Sequence, residues 1–222
     1  IYTNLETAVY QTLDGGNIWD PVVGGVAGQG EVQPWTAIAF SNDNPKIAYT
    51  TAVRGSSRGG MWPAEPADVF KSTDEGRTWK QVGTCELCSS VQTIVVKEGD
   101  PNEVWVAADG GLLYSKDGGS TWSGNVISYL DELANETRNV MAQMPKVVGL
   151  AAQPGNPGTM LAASSENGMF RSTDGGASWV KSNEGLTSSK LHRVQFSISN
   201  PNVAYLATHD GVFRSDDAGK SW

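Results

Sequence analysis

Five copies of the pattern Ser/Thr-x-Asp-x-Gly-x-x-Trp punctuate the 222-residue chain and constrain its fold more than any other feature. They run from Thr12 to Trp19, Ser72 to Trp79, Ser115 to Trp122, Ser172 to Trp179 and Ser215 to Trp222. Their aspartates, Asp14, Asp74, Asp117, Asp174 and Asp217, lie 60, 43, 57 and 43 residues apart. An aspartate at the head of a tight turn accepts hydrogen bonds from the N–H groups ahead of it, and a glycine two residues later supplies a left-handed backbone position. The preceding hydroxyl ties down another backbone group, while the closing Trp offers an apolar face to a sheet and a ring N–H to a carbonyl. Each copy therefore reads as a hairpin clip. The five aspartates are structural on this reading and not a metal or acid array, because turn chemistry accounts for them in full.

Between the copies one order of strands recurs. A first strand ends at an Asn-Pro or Asp-Pro turn: Thr36 to Ser41 before Asn44-Pro45, Val91 to Lys97 before Asp100-Pro101, Val147 to Ala152 before Asn156-Pro157, and Arg193 to Ser197 before Asn200-Pro201. A second strand rich in β-formers follows at Ile47–Thr51, Val104–Ala108, Met160–Ser164 and Val203–Ala207, and a third immediately precedes each signature. The Trp then opens a fourth, outer strand. This spacing is that of four-stranded units with variable loops, and it divides the chain at roughly 1–35, 36–90, 91–146, 147–190 and 191–222. Two insertions interrupt the pattern. Arg54 to Ala67 carries Arg54, Arg58 and Trp62 among glycines, and Ser123 to Lys146 places apolar residues at helical spacing between Ile127 and Met144, which predicts a short helix.

The signature resembles the Asp-box, or BNR repeat, of sialidase-like β-propellers. The run from Asn200-Pro201 through Gly211-Val-Phe-Arg-Ser to Asp217 is similar to bacterial Asp-box propellers related to sortilin and to xyloglucan-cleaving glycoside hydrolases. The resemblance implies an all-β propeller of four-stranded antiparallel blades, about four full and one partial, within a single domain or a fragment of a larger ring. Ile1 to Leu5 reads as a second strand without its first, and Trp222 stands where a fourth strand is expected to begin, so a longer parent is expected. In propellers of this kind the signature turns share one face, and the insertions with Cys85 to Ser90 share the other.

Function is less constrained, because Asp-box propellers include sialidases, endoglucanases, sorting receptors and a photosystem assembly factor. Glycoside hydrolysis needs two carboxyl groups at a set separation. Asp109-Gly110-Gly111 and Asp210-Gly211 partly resemble the acidic turns of the xyloglucanase-like enzymes, and both are more simply β-turn aspartates. Arg54, Arg58 and Tyr129 do not assemble the arginine triad and Tyr-Glu pair of a sialidase. His192 and His209 lack metal-ligand spacing, and no motif calls for a metal or a cofactor. Trp62 with Arg54 and Arg58 forms the strongest candidate anchor for a partner.

The net charge of −8 argues against nucleic acid and polybasic membrane contact, and no apolar run reaches the ~20 residues that span a bilayer. Cys85 and Cys88, the only cysteines, could be a redox couple, half of a zinc site or a small disulfide loop. No second pair completes a four-cysteine zinc site. The favoured reading is a local disulfide in an oxidising compartment. Asn135-Glu-Thr137 is a glycosylation sequon with meaning only on a glycosylating secretory route. The expectation is an extracytoplasmic, non-catalytic propeller that binds a protein or glycan through its insertion-bearing face. The alternatives are a β-glucan glycosidase using Asp109 or Asp210, and a sorting-receptor-like propeller taking peptide by strand addition.

Overall fold

The computed structural model describes residues 10–22, 35–53, 66–86, 88, 91–108, 111–125 and 146–222. These form seventeen strands in five antiparallel sheets, arranged as an open, partial β-propeller. The first sheet pairs β1 (Tyr10–Gln11) with β2 (Asp20–Pro21). The second orders β3 (Trp35–Phe40), β4 (Ala48–Val53), β5 (Ala67–Ser72) and β6 (Lys80–Cys85) side by side. The third contains β7 (Thr93–Val96), β8 (Val104–Ala108), β9 (Gly111–Ser115) and β10 (Ser123–Asn125). The fourth holds β11 (Val147–Gln153), β12 (Asn156–Ser164), β13 (Gly168–Ser172) and β14 (Val180–Lys181), and the fifth β15 (Leu191–Phe196), β16 (Ala204–Thr208) and β17 (Gly211–Ser215). The expected strand order therefore holds from the second sheet onward, and the strand after each of the first four signatures begins at the residue following its Trp.

The hydrophobic core lies between successive sheets. One cluster joins Val69 and Tyr49 to Val96, Val104 and Val106, a second joins Trp105 and Leu112 to Leu150, Phe170 and Trp179, and a third joins Leu161 and Met169 to Val194, Phe196 and Leu206. A second strand is thus sandwiched on both faces, which explains why β8 is buried along its whole length and reads as a continuous apolar run. β16 behaves otherwise. Ala204 and Leu206 are buried against the fourth sheet while Tyr205 between them is exposed, the alternation of a strand covered on one side.

One expected turn is corrected. Asn156-Pro157 does not form the turn after β11, because Pro154-Gly155 makes it two residues earlier, with Gly155 at φ +72° and Gln153 paired to Asn156. Proline followed by a left-handed glycine is the preferred centre of a type II turn, so β12 starts at Asn156 and runs longer than expected. Ile1 to Leu5, the helix expected between Ile127 and Met144 and the sequon at Asn135 lie outside the described residues. Among the described residues no helix is long and apolar enough to cross a membrane.

Candidate binding site at the joints between sheets

The signature turns are built as expected, and more tightly than the pattern alone conveys. In the third copy the Asp117 carboxylate accepts from the Ser115 hydroxyl at 2.8 Å, the Ser120 and Thr121 N–H groups at 3.0 and 2.9 Å, and the Thr121 hydroxyl at 2.6 Å. The Ser115 hydroxyl oxygen in turn accepts from the Gly119 N–H at 2.8 Å. The hydroxyls of Thr78, Thr121 and Ser178, followed by the N–H groups of the same residues, bring Asp74, Asp117 and Asp174 down to about 2. At Asp217 burial pushes upward, but the N–H and hydroxyl of Ser221 outweigh it and the result is again about 2. Asp14 is lowered chiefly by the Ile18 N–H, since isoleucine offers no hydroxyl. A hydroxyl directly before Trp in four of the five copies was the available sign of this extra ligand.

Two further features of the turns emerge only in three dimensions. The residue between Asp and Gly is itself left-handed, and Glu75 and Ala218, at φ 66° and 58°, are the non-glycine residues forced into that region. The Trp rings also differ in partner. Trp19, Trp122 and Trp179 donate to the carbonyl of their own turn glycine at 3.0–3.1 Å, Trp222 donates to the Ser182 carbonyl just after β14, and the buried Trp79 nitrogen has no acceptor among the described residues.

The turn glycines Gly119, Gly176 and Gly219 seat the third, fourth and fifth sheets each on its predecessor. A Cβ on Gly176 would lie 2.4 Å from the Trp105 ring, and one on Gly219 would lie 2.4 Å from Leu161. At the joint between the second and third sheets Tyr49 donates to the Pro101 carbonyl at 2.8 Å and Lys71 to the Asn102 side chain at 3.1 Å. At the joint between the fourth and fifth sheets Arg171 donates to the Ala218 carbonyl at 2.9 Å and Gln153 to the Pro201 carbonyl at 2.9 Å. Burial, with the negative charge of Asp100 adding to it, pushes the Tyr49 hydroxyl up to about 12, so it stays a donor across the physiological range.

Between these two lies the joint of the third and fourth sheets, the middle joint, which opens into a cleft of about 270 Å3 on the signature-turn face, lined by Lys97, Glu103, Trp105, Tyr114, Lys116 and the Asp174 turn. Register brings its aromatic residues together: Trp105 on β8 pairs with Tyr114 on β9, and their ring centroids lie 4.9 Å apart at 33°. Glu103 bridges the Lys97 ammonium at 2.7 Å and the Trp105 ring N–H at 3.2 Å, and the Lys116 ammonium stands 5.6 Å from the centre of the Tyr114 ring. Trp105 is covered by Gly176, so Tyr114 and the two lysines present the accessible chemistry: one aromatic face with a cation beside it. Sequence reading missed this cluster. The signal was the even spacing along the two strands: β8 pairs with β9 antiparallel, Ala108 opposite Gly111, and this register sets Trp105 against Tyr114.

Of the residues singled out from sequence, Arg54, Arg58, Trp62 and Asp109 lie outside the described residues. Asp210 is exposed in the β16–β17 turn, where its N–H donates to the Thr208 hydroxyl at 3.2 Å. Cys85 and Cys88 are joined by a disulfide, their Cα atoms 5.2 Å apart, with both residues fully buried where β6 leaves its sheet. In native protein, alkylation is accordingly expected to label neither cysteine until reductant and denaturant act together, whereas two labels without reductant would contradict the bond.

No protein-family model matches the chain, and no curated protein matches it significantly. Among solved structures it is similar to the GH74 enzyme of Niastella koreensis, with a TM-score of 0.66 and 18% identity over 94% of this chain and 32% of that one. An ancestral GH74 enzyme gives 0.58 and 23% over 97% and 25%. YCF48 bound to D1 peptide gives 0.55 and 18% over 98% and 74%. The chain spans about a quarter to a third of the length of these GH74 enzymes. At these identities the likeness establishes the fold, and the neighbours are β-propellers.

Proposed function

We propose that this chain is an Asp-box propeller acting as a non-catalytic, extracytoplasmic binding or scaffold module for a protein or glycan partner. The observation that carries the reading is the inter-sheet cleft, where Tyr114 and Lys116 offer an aromatic face and a cation at the rim of a rigid joint. Such a pair suits a protein segment that sets an apolar group beside an acidic one, and an aromatic face also suits a sugar ring. That a similarly folded propeller, YCF48, has been solved with a D1 peptide bound supports the peptide form. The signature aspartates take no part as acids or bases, because the turns already occupy their carboxylates. The buried disulfide supports an oxidising compartment.

The test is a screen of the protein against peptide and glycan arrays, repeated with Tyr114→Ala and Lys116→Ala combined. We expect captured ligands to bind at least about tenfold more weakly to the double variant, since an anchoring aromatic contact is worth about 2 kcal/mol or more. Unchanged binding would remove the cleft from the reading, and a parallel loss in an Arg54, Arg58 and Trp62 triple-alanine variant would place the anchor on the insertion. The likeness to GH74 enzymes favours a second reading, a β-glucan glycosidase employing Asp109 or Asp210. Hydrolysis of a β-glucan panel that disappears in Asp109→Ala or Asp210→Ala and survives the cleft change would establish that reading instead.

A further inference from the structure

The middle joint and the two that flank it can be compared residue by residue, because one backbone bond marks the same place in each. The carbonyls of Asn102, Gly158 and Asn202 accept the N–H of Gly118, Gly175 and Ala218, the residue between Asp and Gly in their own sheet's signature turn, at 2.8–2.9 Å. In the flanking joints the asparagine side chain meets the preceding sheet: Asn102 Oδ1 accepts from Lys71 at 3.1 Å and Asn202 Oδ1 from Gln153 at 3.4 Å. In the middle joint the position is Gly158, and Lys97 stands where the fourth sheet has Gln153, each following the residue paired with Val104 or Met160. The residue before the signature hydroxyl also changes. Lys71 and Arg171 reach across their joints, whereas Tyr114 in the same place crosses to no partner among the described residues. The surroundings of the turns record the difference. A Cβ on Gly118 would meet Asn102 Oδ1, Lys71 Nζ and the Tyr49 hydroxyl, each at 3.3 Å, but one on Gly175 would meet Lys97 Nζ at 3.7 Å, the Pro157 carbonyl at 3.9 Å and no side-chain oxygen.

We propose that the cleft seats the carboxylate of an aspartate or glutamate side chain from a partner polypeptide, in the place where the flanking joints hold the side-chain oxygens of Asn102 and Asn202. The proposal rests on the reading of this cleft as the ligand site and names the group that enters it. Charge selects a carboxylate over an amide, because the cleft is lined by both Lys97 and Lys116. Glu103 pairs with Lys97, and the Asp174 carboxylate is taken up by its own turn, while Lys116 has no carboxylate partner among the described residues. Charge-assisted bonds from the two ammonium groups offset the water that an entering carboxylate loses. A polypeptide is favoured over an acidic sugar because the flanking joints fill the same place with a short amino-acid side chain. The neighbouring residue of the partner then lies on the Tyr114 ring. Gly158 is the residue that keeps the site open.

The probes are acetyl-Leu-Asp-Leu-amide and its Asn and Lys counterparts, titrated onto the full chain and followed by amide NMR shifts. The Asp peptide is expected to move the signals of Lys97, Lys116 and Gly175 and to bind at least about tenfold more tightly than the Lys peptide, with the Asn peptide between them. Gly158→Asn supplies the oxygen from the chain itself. Gly158 is outside the left-handed region, and its new Cβ would stand 3.2 Å from the Thr173 carbonyl, a contact that a shift of a few tenths of an ångström relieves. This variant is expected to weaken Asp-peptide binding at least about tenfold. Lys97→Gln, which copies Gln153 and keeps a donor without the charge, is expected to erase the preference for Asp over Asn, and it decides the matter should Gly158→Asn fail to fold. Equal affinity for the Asp and Lys peptides, or Asp-peptide binding indifferent to both variants, would overturn the proposal, as would the absence of any shift at the cleft. Saturation by glucuronate at lower concentration than by the Asp peptide would also overturn it and assign the cleft to an acidic glycan. The cleft reading itself fails separately, if array ligands bind the combined Tyr114→Ala and Lys116→Ala variant unchanged.

Discussion

Gly176→Ala is expected to cost roughly 3–5 kcal/mol, the sum of forcing a side chain into a left-handed position and of overpacking a joint. The position has φ +89°, and the new methyl would lie 2.4 Å from the Trp105 ring, which has a buried core on one side and the next sheet on the other. For a chain of this length such a loss lowers the melting temperature by roughly 10 °C. Gly99→Ala separates the two contributions. Gly99 has nearly the same backbone, at φ +87°, but nothing within 4 Å of its Cβ position, so only strain of about 1–2 kcal/mol is expected there. Thermal or urea unfolding of the two variants decides, and equal losses would show that the joint contact contributes nothing.

Acid is expected to titrate the signature aspartates far below ordinary carboxylates. Asp74, Asp117, Asp174 and Asp217 sit at about 2 in the folded protein, against 3.8 for a free side chain. A depressed folded value stabilises the native state once pH exceeds the unfolded value, and that contribution fades as pH falls from about 4 toward 2. Stability is therefore expected to be level above pH 5 and to drop steeply between pH 4 and 2, where four turns lose their carboxylate acceptors together. Carboxyl NMR titration gives the individual values. Thr121→Val, which removes the largest single influence on Asp117, is expected to raise that residue alone, and an unmoved Asp117 would mean that the backbone N–H groups suffice.

Sequence by itself determined everything that depends on local chain geometry. The five turns, the carboxylate role and that of the leading hydroxyl, and the strand after each of the first four Trp residues follow from short-range stereochemistry, in which a given spacing of Asp and Gly has few backbone solutions. The same locality explains the one misplaced turn. Asn156-Pro157 and Pro154-Gly155 are both plausible turn centres, and only the pairing of Gln153 with Asn156 across the hairpin selects the second. Tertiary structure alone decided what the turns are for. The glycines read as conformational devices, but Gly176 and Gly219 are also the contact points where Trp105 and Leu161 of the preceding sheet enter, residues 71 and 58 positions away in the chain. Nothing local encodes which aromatic residue will stand beneath a glycine one sheet later. For the same reason the Tyr114–Lys116 cleft came into view only once the sheets were stacked. A side chain's burial is set by the neighbouring sheet, and that neighbour is distant in sequence.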